Sequence, residues 1–367
     1  MVNVITSISL NFVPMTFLRE IERPIIIAGP CGAETEEQVF ATARQLKATG
    51  KVHVLRAGIW KPRTRPNAFE GVGAPGLKWL IDAGKETGLP VITEVANAHH
   101  VDMALKAGFT KLWVGARTTV NPFTVQEIAE SVQGVKDLEI LVKNPVNPDV
   151  NLWIGAIERF LKVGLTDVHA VHRGFSSFKS KKYRNEPMWE IPIALKTEFP
   201  TIKLLCDPSH ICGRRDLLAE VSQKAMDLVY DGLMIESHIT PDEAWSDAQQ
   251  QITPAELKIL LENLVLRSES SGDPTFKKNL EALRDEINGI DQELVNLLMK
   301  RMQIVQQIGV YKGQNNITIL QPQRWEEIKT IHLALAREYG LSEKFIEKYI
   351  EAIHLESIRI QTKVMNA

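Results

Sequence analysis

The chain has 367 residues, 44% of them hydrophobic and 24% charged, with a formal net charge of -2. That length exceeds one ordinary domain, the apolar share supports a sizeable core, and the charge offers no general footprint for nucleic acid or an anionic membrane. The three cysteines, Cys31, Cys206 and Cys212, make no disulfide framework and suit a reducing cytosol.

The N-terminal stretch, from Met1 to about Glu20, has neither a basic start nor a long apolar run. It reads as neither signal peptide nor membrane span, and a short strand or hairpin closing one end of the fold is expected. The protein is expected to be cytoplasmic, without nucleic-acid or membrane partners.

From Arg23 to about Arg267, short apolar runs alternate with amphipathic stretches. The predicted strands are Ile25–Gly29, Val52–Gly58, Pro90–Val95, Lys111–Gly115, Glu139–Asn144, Asp167–Gly174, Ile202–Asp207 and Gly232–Ser237. Each has the continuous apolar character of a strand covered on both faces. Glu36–Thr49, Leu77–Thr87 and Leu217–Val229 have helical periodicity. Eight such units in about 245 residues predict an α/β fold, the (β/α)8 or TIM barrel. No Gly-rich phosphate loop follows the first strand, which weakens the rival doubly wound sheet.

The predicted boundaries are a barrel over 1–266, a linker over 267–274 and an all-α domain over 275–367. In the linker, Asp273 suits a helix N-cap and Pro274 a first helical position. Beyond it, Leu280, Leu283, Ile287, Ile290, Leu294, Leu297, Ile304 and Ile308 recur at three- and four-residue steps. One helix should run to about Lys312, a second from Pro322 to Tyr339, and a third from Ser342. Three helices do not bury such a stripe alone, so dimerisation through the long helix is expected.

Polar residues collect where the barrel strands end, the face on which such barrels hold their chemistry. Arg56, Lys61, Arg63, Arg117, Lys143 and Arg173 form a ring of cations suited to phosphates and carboxylates. Any one of them could simply pair with an acid at the rim; all six at strand ends make that unlike chance. Cys31, His210, Glu236 and Asp247 form a mixed S/N/O set suited to one divalent ion of the Mn, Fe, Co or Zn class. Cys206 should pack against a helix, and His99 and His100 should be exposed at a helix start.

Ala28-Gly-Pro-Cys31, Lys61-Pro-Arg-Thr64, Gly115-Ala-Arg-Thr-Thr119, Asp207-Pro-Ser-His210 and Ser246-Asp-Ala-Gln-Gln250 together resemble class I 3-deoxy-D-arabino-heptulosonate 7-phosphate (DAHP) synthases over nearly the first 265 residues. The resemblance implies a metal on Cys31, His210, Glu236 and Asp247. It implies phosphoenolpyruvate on Arg56, Lys61, Ala116, Arg117, Lys143 and Arg173, near Glu94. Erythrose 4-phosphate would rest on Lys61, Pro62, Arg63 and Thr64, with Lys61 and a metal-bound water equal candidates for the proton donor to the forming alkoxide. A barrel using arabinose 5-phosphate is the close rival, and a phosphate-binding barrel without turnover a more distant one. Many relatives have Glu-Arg-Gly where this chain has His172-Arg-Gly174.

Leu283-Arg-Asp-Glu-Ile-Asn-Gly-Ile-Asp291, Lys300-Arg-Met302, Ile308-Gly-Val-Tyr-Lys312 and Ser357-Ile-Arg-Ile-Gln361 resemble the all-helical chorismate mutases. The resemblance assigns Arg284, Arg301, Lys312, Arg324, Ser357 and Gln361 to a chorismate pocket, with Lys312 and Gln361 candidates for the ether oxygen. The family pattern has an acid after Arg324 and another three residues before it; Trp325 and Gln321 stand there, so slower turnover is expected. Helix geometry adds a constraint: Arg284 and Arg301 lie about 25 Å apart along one helix, too far to share one small dicarboxylate. They also face about 100° apart, whereas Arg301 and Lys312 face within about 20°. Arg284 is therefore expected to serve a partner chain's site. The alternative is a module that senses prephenate or chorismate, through which feedback would enter.

Overall fold

A computed structural model describes residues 17–61, 69–177 and 182–366. The chain divides into two compact units between Glu269 and Ser270. In the first, β1 (Ile25–Gly29), β2 (Val54–Arg56), β3 (Val91–Val95), β4 (Lys111–Val114), β5 (Glu139–Lys143), β6 (Val168–His172), β7 (Leu204–Cys206) and β8 (Gly232–Glu236) form a closed parallel barrel in sequential order. β8 returns to β1, pairing Gly29 with Glu236. The fold is the predicted one. The strands are mostly shorter at their C-terminal ends than expected, because the polar residues there leave the ladder to build loops.

Side chains alternate between two cores, as the period of a strand requires. Ile25, Ile27, Val54, Ile92, Trp113, Leu141, Val171, Leu205 and Met234 fill the barrel interior. Their outward neighbours, among them Ala28, Leu55, Leu112, Val142, Ala170, Cys206 and Leu233, pack in the layer shared with the helices. Continuing the inward parity by two residues leads to Arg56, Glu94, Gly115, Lys143, Arg173, Asp207 and Glu236. One alternation thus supplies both the core and the polar mouth.

The N-terminal end is described only in part. Its described part is a helical turn, Phe17–Glu20, which inserts Leu18 into the interior core, while the Leu18 N–H donates to Glu139 Oε1 over 2.9 Å. Residues 1–16 of the expected hairpin lie outside the described residues.

The second unit has three helices, Pro274–Gln314, Pro322–Glu338 and Glu343–Met365. Asp273 caps the first by accepting from the Thr275 N–H at 2.8 Å, and Gly340, at φ 69°, follows the second. The 41-residue first helix is about 60 Å long at the standard rise. Only its C-terminal part is covered: Val305 and Gly309 are buried, whereas Leu283, Ile287, Ile290, Leu294 and Leu297 are exposed. Gly309 lets the third helix approach, since a Cβ there would lie 3.2 Å from Gln361 Cα.

Candidate active sites

At the barrel mouth, the ligand candidates come from the ends of β1, β7 and β8 and from the loop that follows β8. Cys31 is in the turn after β1, where its N–H donates to Gln251 Oε1 over 2.9 Å, while Gln251 Nε2 donates to Ser246 O. That amide ties the Cys31 turn to the loop carrying Asp247, whose backbone is left-handed (φ 52°, ψ 34°). Asp207 caps the short helix Pro208–Cys212 through the His210 N–H. In the same helix Ser209 Oγ accepts from the Glu236 N–H at 2.9 Å.

These ties bring Cys31 Sγ and oxygens of Glu236 and Asp247 within 4.8 Å of one another. Cys31 Sγ lies 3.3 Å from Asp247 Oδ2. His210 stands beside this trio, its Nε2 3.7 Å from Glu236 Oε1 and its Nδ1 2.8 Å from Asp207 Oδ2. Three of the four predicted ligands therefore converge directly, and the fourth adjoins them through Glu236.

The electrostatics fit a cation. Burial, followed by the charge of Glu236, pushes the Cys31 thiol up to about 12 despite Lys61. Burial also acts to raise Asp247, but His210, Arg184 and Lys61 outweigh it and hold the carboxyl well below its usual range. Glu236 is lowered too, His210 and Arg56 prevailing over burial. Two ready carboxylates and a crowded thiol form a donor set that a divalent ion would complete, displacing the thiol proton.

The predicted cations surround this trio. Lys61 Nζ donates to Cys31 O at 2.5 Å and to its Sγ at 2.6 Å. Arg56 donates to Glu236 Oε1 at 3.2 Å, and Lys143 to Asp207 Oδ2 at 2.7 Å. Both cations also lie over the Trp113 ring, 4.9 and 5.5 Å from its centroid. Burial lowers Arg173 to about 10. Glu94, Ala116, Arg117 and Val146 line the same small pocket, and a Cβ on Gly115 would meet Glu94 Oε1 at 2.0 Å. Arg56 Nε and Nη1 and Trp113 Nε1 are buried with no partner among the described residues. Buried donors left open in this way suit an anion. Pro62, Arg63 and Thr64 lie outside the described residues.

Three participants escaped the sequence reading of roles. Arg184 Nη1 donates to Asp247 Oδ1 at 2.9 Å and to Gln250 Oε1 at 2.7 Å, and Gln250 Nε2 donates to Glu236 Oε2 at 2.6 Å. Asp207 joins Lys143 to His210. The inward parity of β7 points to Asp207; Arg184 sits in an irregular segment with no periodic signal. His172 faces outward, its Nδ1 2.9 Å from Tyr230 Oη and its Nε2 2.7 Å from Pro187 O. The departure at this position thus leaves the mouth untouched. His99 is exposed, but His100 is not the free surface residue expected: it stacks on Trp60 with centroids 4.0 Å apart.

In the helical unit, Arg301 Nη1 donates to Ser357 Oγ at 2.8 Å, and Gln361 Oε1 is buried without a partner among the described residues. Lys312 Nζ donates to Ile319 O at 2.7 Å. Arg284 and Arg324 are exposed and pair with Glu281 and Glu327 on their own helices. A second set thus gathers around the first and third helices, with Arg284 outside it.

Residues 20–269 match the family model described as DAHP synthetase I, and residues 283–362 match chorismate mutase type II. A phospho-2-dehydro-3-deoxyheptonate aldolase of Thermotoga maritima is 31% identical over 248 residues, covering 67% of this chain and 70% of that protein. The crystal structure of such an enzyme from Thermotoga maritima aligns with a TM-score of 0.58 at 27% identity, over 71% of this chain and 70% of that one. A 4-amino-4-deoxychorismate mutase of Streptomyces venezuelae is 27% identical over 92 residues, 25% of this chain and 89% of that protein.

Proposed function

We propose, from the premise that the chain belongs to the DAHP synthetase I family, that its barrel condenses phosphoenolpyruvate with erythrose 4-phosphate and its helical unit rearranges chorismate to prephenate. The observation that carries the first half is the Cys31, Glu236 and Asp247 trio inside a ring of cations. Cys31, Glu236 and Asp247, with His210 adjoining, would hold one divalent ion. Such an ion would supply Lewis-acid polarisation of the aldehyde oxygen.

The residues of the chain do the rest. Arg56, Arg117, Lys143 and Arg173 bind the phosphate and carboxylate, orient the enol carbon toward the aldehyde, and offset charge as water adds to the other end of the double bond. Burial tends to lower Lys61, but Cys31 and Glu236 outweigh it and raise it, so its ammonium persists as a proton donor to the forming alkoxide. Pro62–Thr64 would seat the second phosphate.

In the helical unit, Arg301 and Lys312 of one chain and Arg284 of a second copy would hold the dicarboxylate in its folded conformer, with Lys312 and Gln361 at the ether oxygen. The exposed apolar stripe from Leu283 to Leu297 supports pairing through the long helix. Assays with phosphoenolpyruvate plus erythrose 4-phosphate or arabinose 5-phosphate, with and without chelator, test the barrel reading. The expected result is chelator-sensitive condensation with the four-carbon aldehyde; preference for the five-carbon one, or full activity in chelator, refutes it.

A further inference from the structure

The helical unit contains a ring that the pocket assignment above leaves unused. His354 lies on the third helix three residues before Ser357 and seven before Gln361, so the three share one face. Its imidazole stacks on Trp325 of the second helix, with centroids 4.1 Å and planes 16° apart. Trp325 is in turn packed against the small core of Ala336, Ile346 and Ile350. Burial, then the charges of Arg301 and Lys312, push His354 below its ordinary pKa, which places it electrostatically beside both pocket cations and keeps it neutral.

The pocket's hydrogen-bonding inventory leaves it a role. Arg284, Arg301, Lys312 and Arg324 are donors and have no acceptor atom. They suit the two carboxylates and the ether oxygen of chorismate. The ring hydroxyl also has a proton to give. Ser357 Oγ is committed, accepting from Arg301 and donating to Ile353 O at 2.7 Å. Gln361 packs at the close approach to Gly309 and is assigned to the ether oxygen. Gln361 Oε1 is also an acceptor on that face but is fully buried, whereas the neutral imidazole of the half-buried His354 is open to a ligand.

We propose that His354, positioned by the face of Trp325, is the specificity-determining partner of the substrate's ring hydroxyl, and that it selects a hydroxyl over an ammonium at that ring position. A carboxylate there would welcome either group. A neutral acceptor among cations favours the uncharged donor, because an ammonium would bring a further positive charge with no counter-charge. The inference rests on the mutase reading of this unit.

The test compares chorismate with 4-amino-4-deoxychorismate as substrates of the full-length protein, in wild type and in the His354→Leu, His354→Glu and Trp325→Leu variants. Wild type should prefer chorismate. His354→Leu should lose about tenfold in kcat/KM on chorismate, the scale of one hydrogen bond, and much less on the amine, so the ratio falls. His354→Glu should move the ratio toward the amine, and Trp325→Leu should lower it as His354→Leu does, but by less. A ratio unchanged in both His354 variants, or equal losses on both compounds, overturns the proposal. If wild type rearranges neither compound, the mutase reading fails by itself. The ratio of the two dissociation constants then decides the His354 proposal by the same criteria.

Discussion

At the barrel mouth, Arg56 meets Glu236, Lys143 meets Asp207, Lys61 meets Cys31 and Arg184 meets Asp247, all within one unit and mostly buried. In the helical unit, Arg284 and Arg324 find only acids one turn along their own helices, and the first half of the long helix is bare of cover. A closed barrel brings eight strand ends to one point, so the described residues of the mouth all come from one chain. A 41-residue helix spreads its residues over about 60 Å, so on the proposed reading Arg284 reaches a site only on a second copy. On that reading the consequences of substitution also separate, with damage at the mouth staying within a chain and damage on the long helix shared between chains.

The sharpest way to break this comparison is to remove Cys31. Cys31→Ala should cost condensation more than about 100-fold, since loss of a supporting group alone costs 10–100-fold at metal sites. Chorismate rearrangement, which uses no barrel ligand, should be unchanged. Normal condensation by the variant after metal stripping would show that Cys31 is not a ligand.

A second test addresses the sharing of sites. Arg284→Ala and Arg301→Ala should each cost mutase activity about 10–150-fold, corresponding to about 1.5–3 kcal/mol for a charge-assisted contact. Subunit exchange between the two variants should assemble heterodimers with one doubly damaged and one intact site, returning roughly half of wild-type activity per heterodimer. Heterodimers verified by mass that show no recovery would place Arg284 outside the partner's site.

The smallest expected effect is on pH dependence. Burial pushes His169 down to about 4 and His172 down to about 3, with both rings inside the barrel unit. Their folded values are below the unfolded value of about 6.5, so the unfolded chain takes up protons first as pH falls. Barrel stability should therefore be complete above about pH 6.5 and decline toward pH 4. His354 of the helical unit is only half-buried, so its transition should move less. Scanning calorimetry between pH 7 and pH 4.5 checks this; parallel shifts of both transitions would contradict it.

Much of the architecture is legible in the chain itself. Eight apolar runs separated by amphipathic stretches specify a barrel, because a strand covered on both faces must be apolar throughout and a crossover must be amphipathic. The same period of two carries inward parity past the end of each strand, so Arg56, Glu94, Lys143, Arg173 and Glu236 could be placed at the mouth from their positions alone. Helix arithmetic likewise separates Arg284 from Arg301. What only the tertiary structure decided were contacts made by irregular or remote segments: Arg184 on Asp247, Gln250 on Glu236, Gln251 on the Cys31 turn, and Trp325 under His354. Such contacts leave no periodic trace, because they depend on how loops and helices distant in sequence meet. The seating of Leu18 in the interior core by the helical turn Phe17–Glu20 has the same origin, since it depends on the closure of the whole sheet.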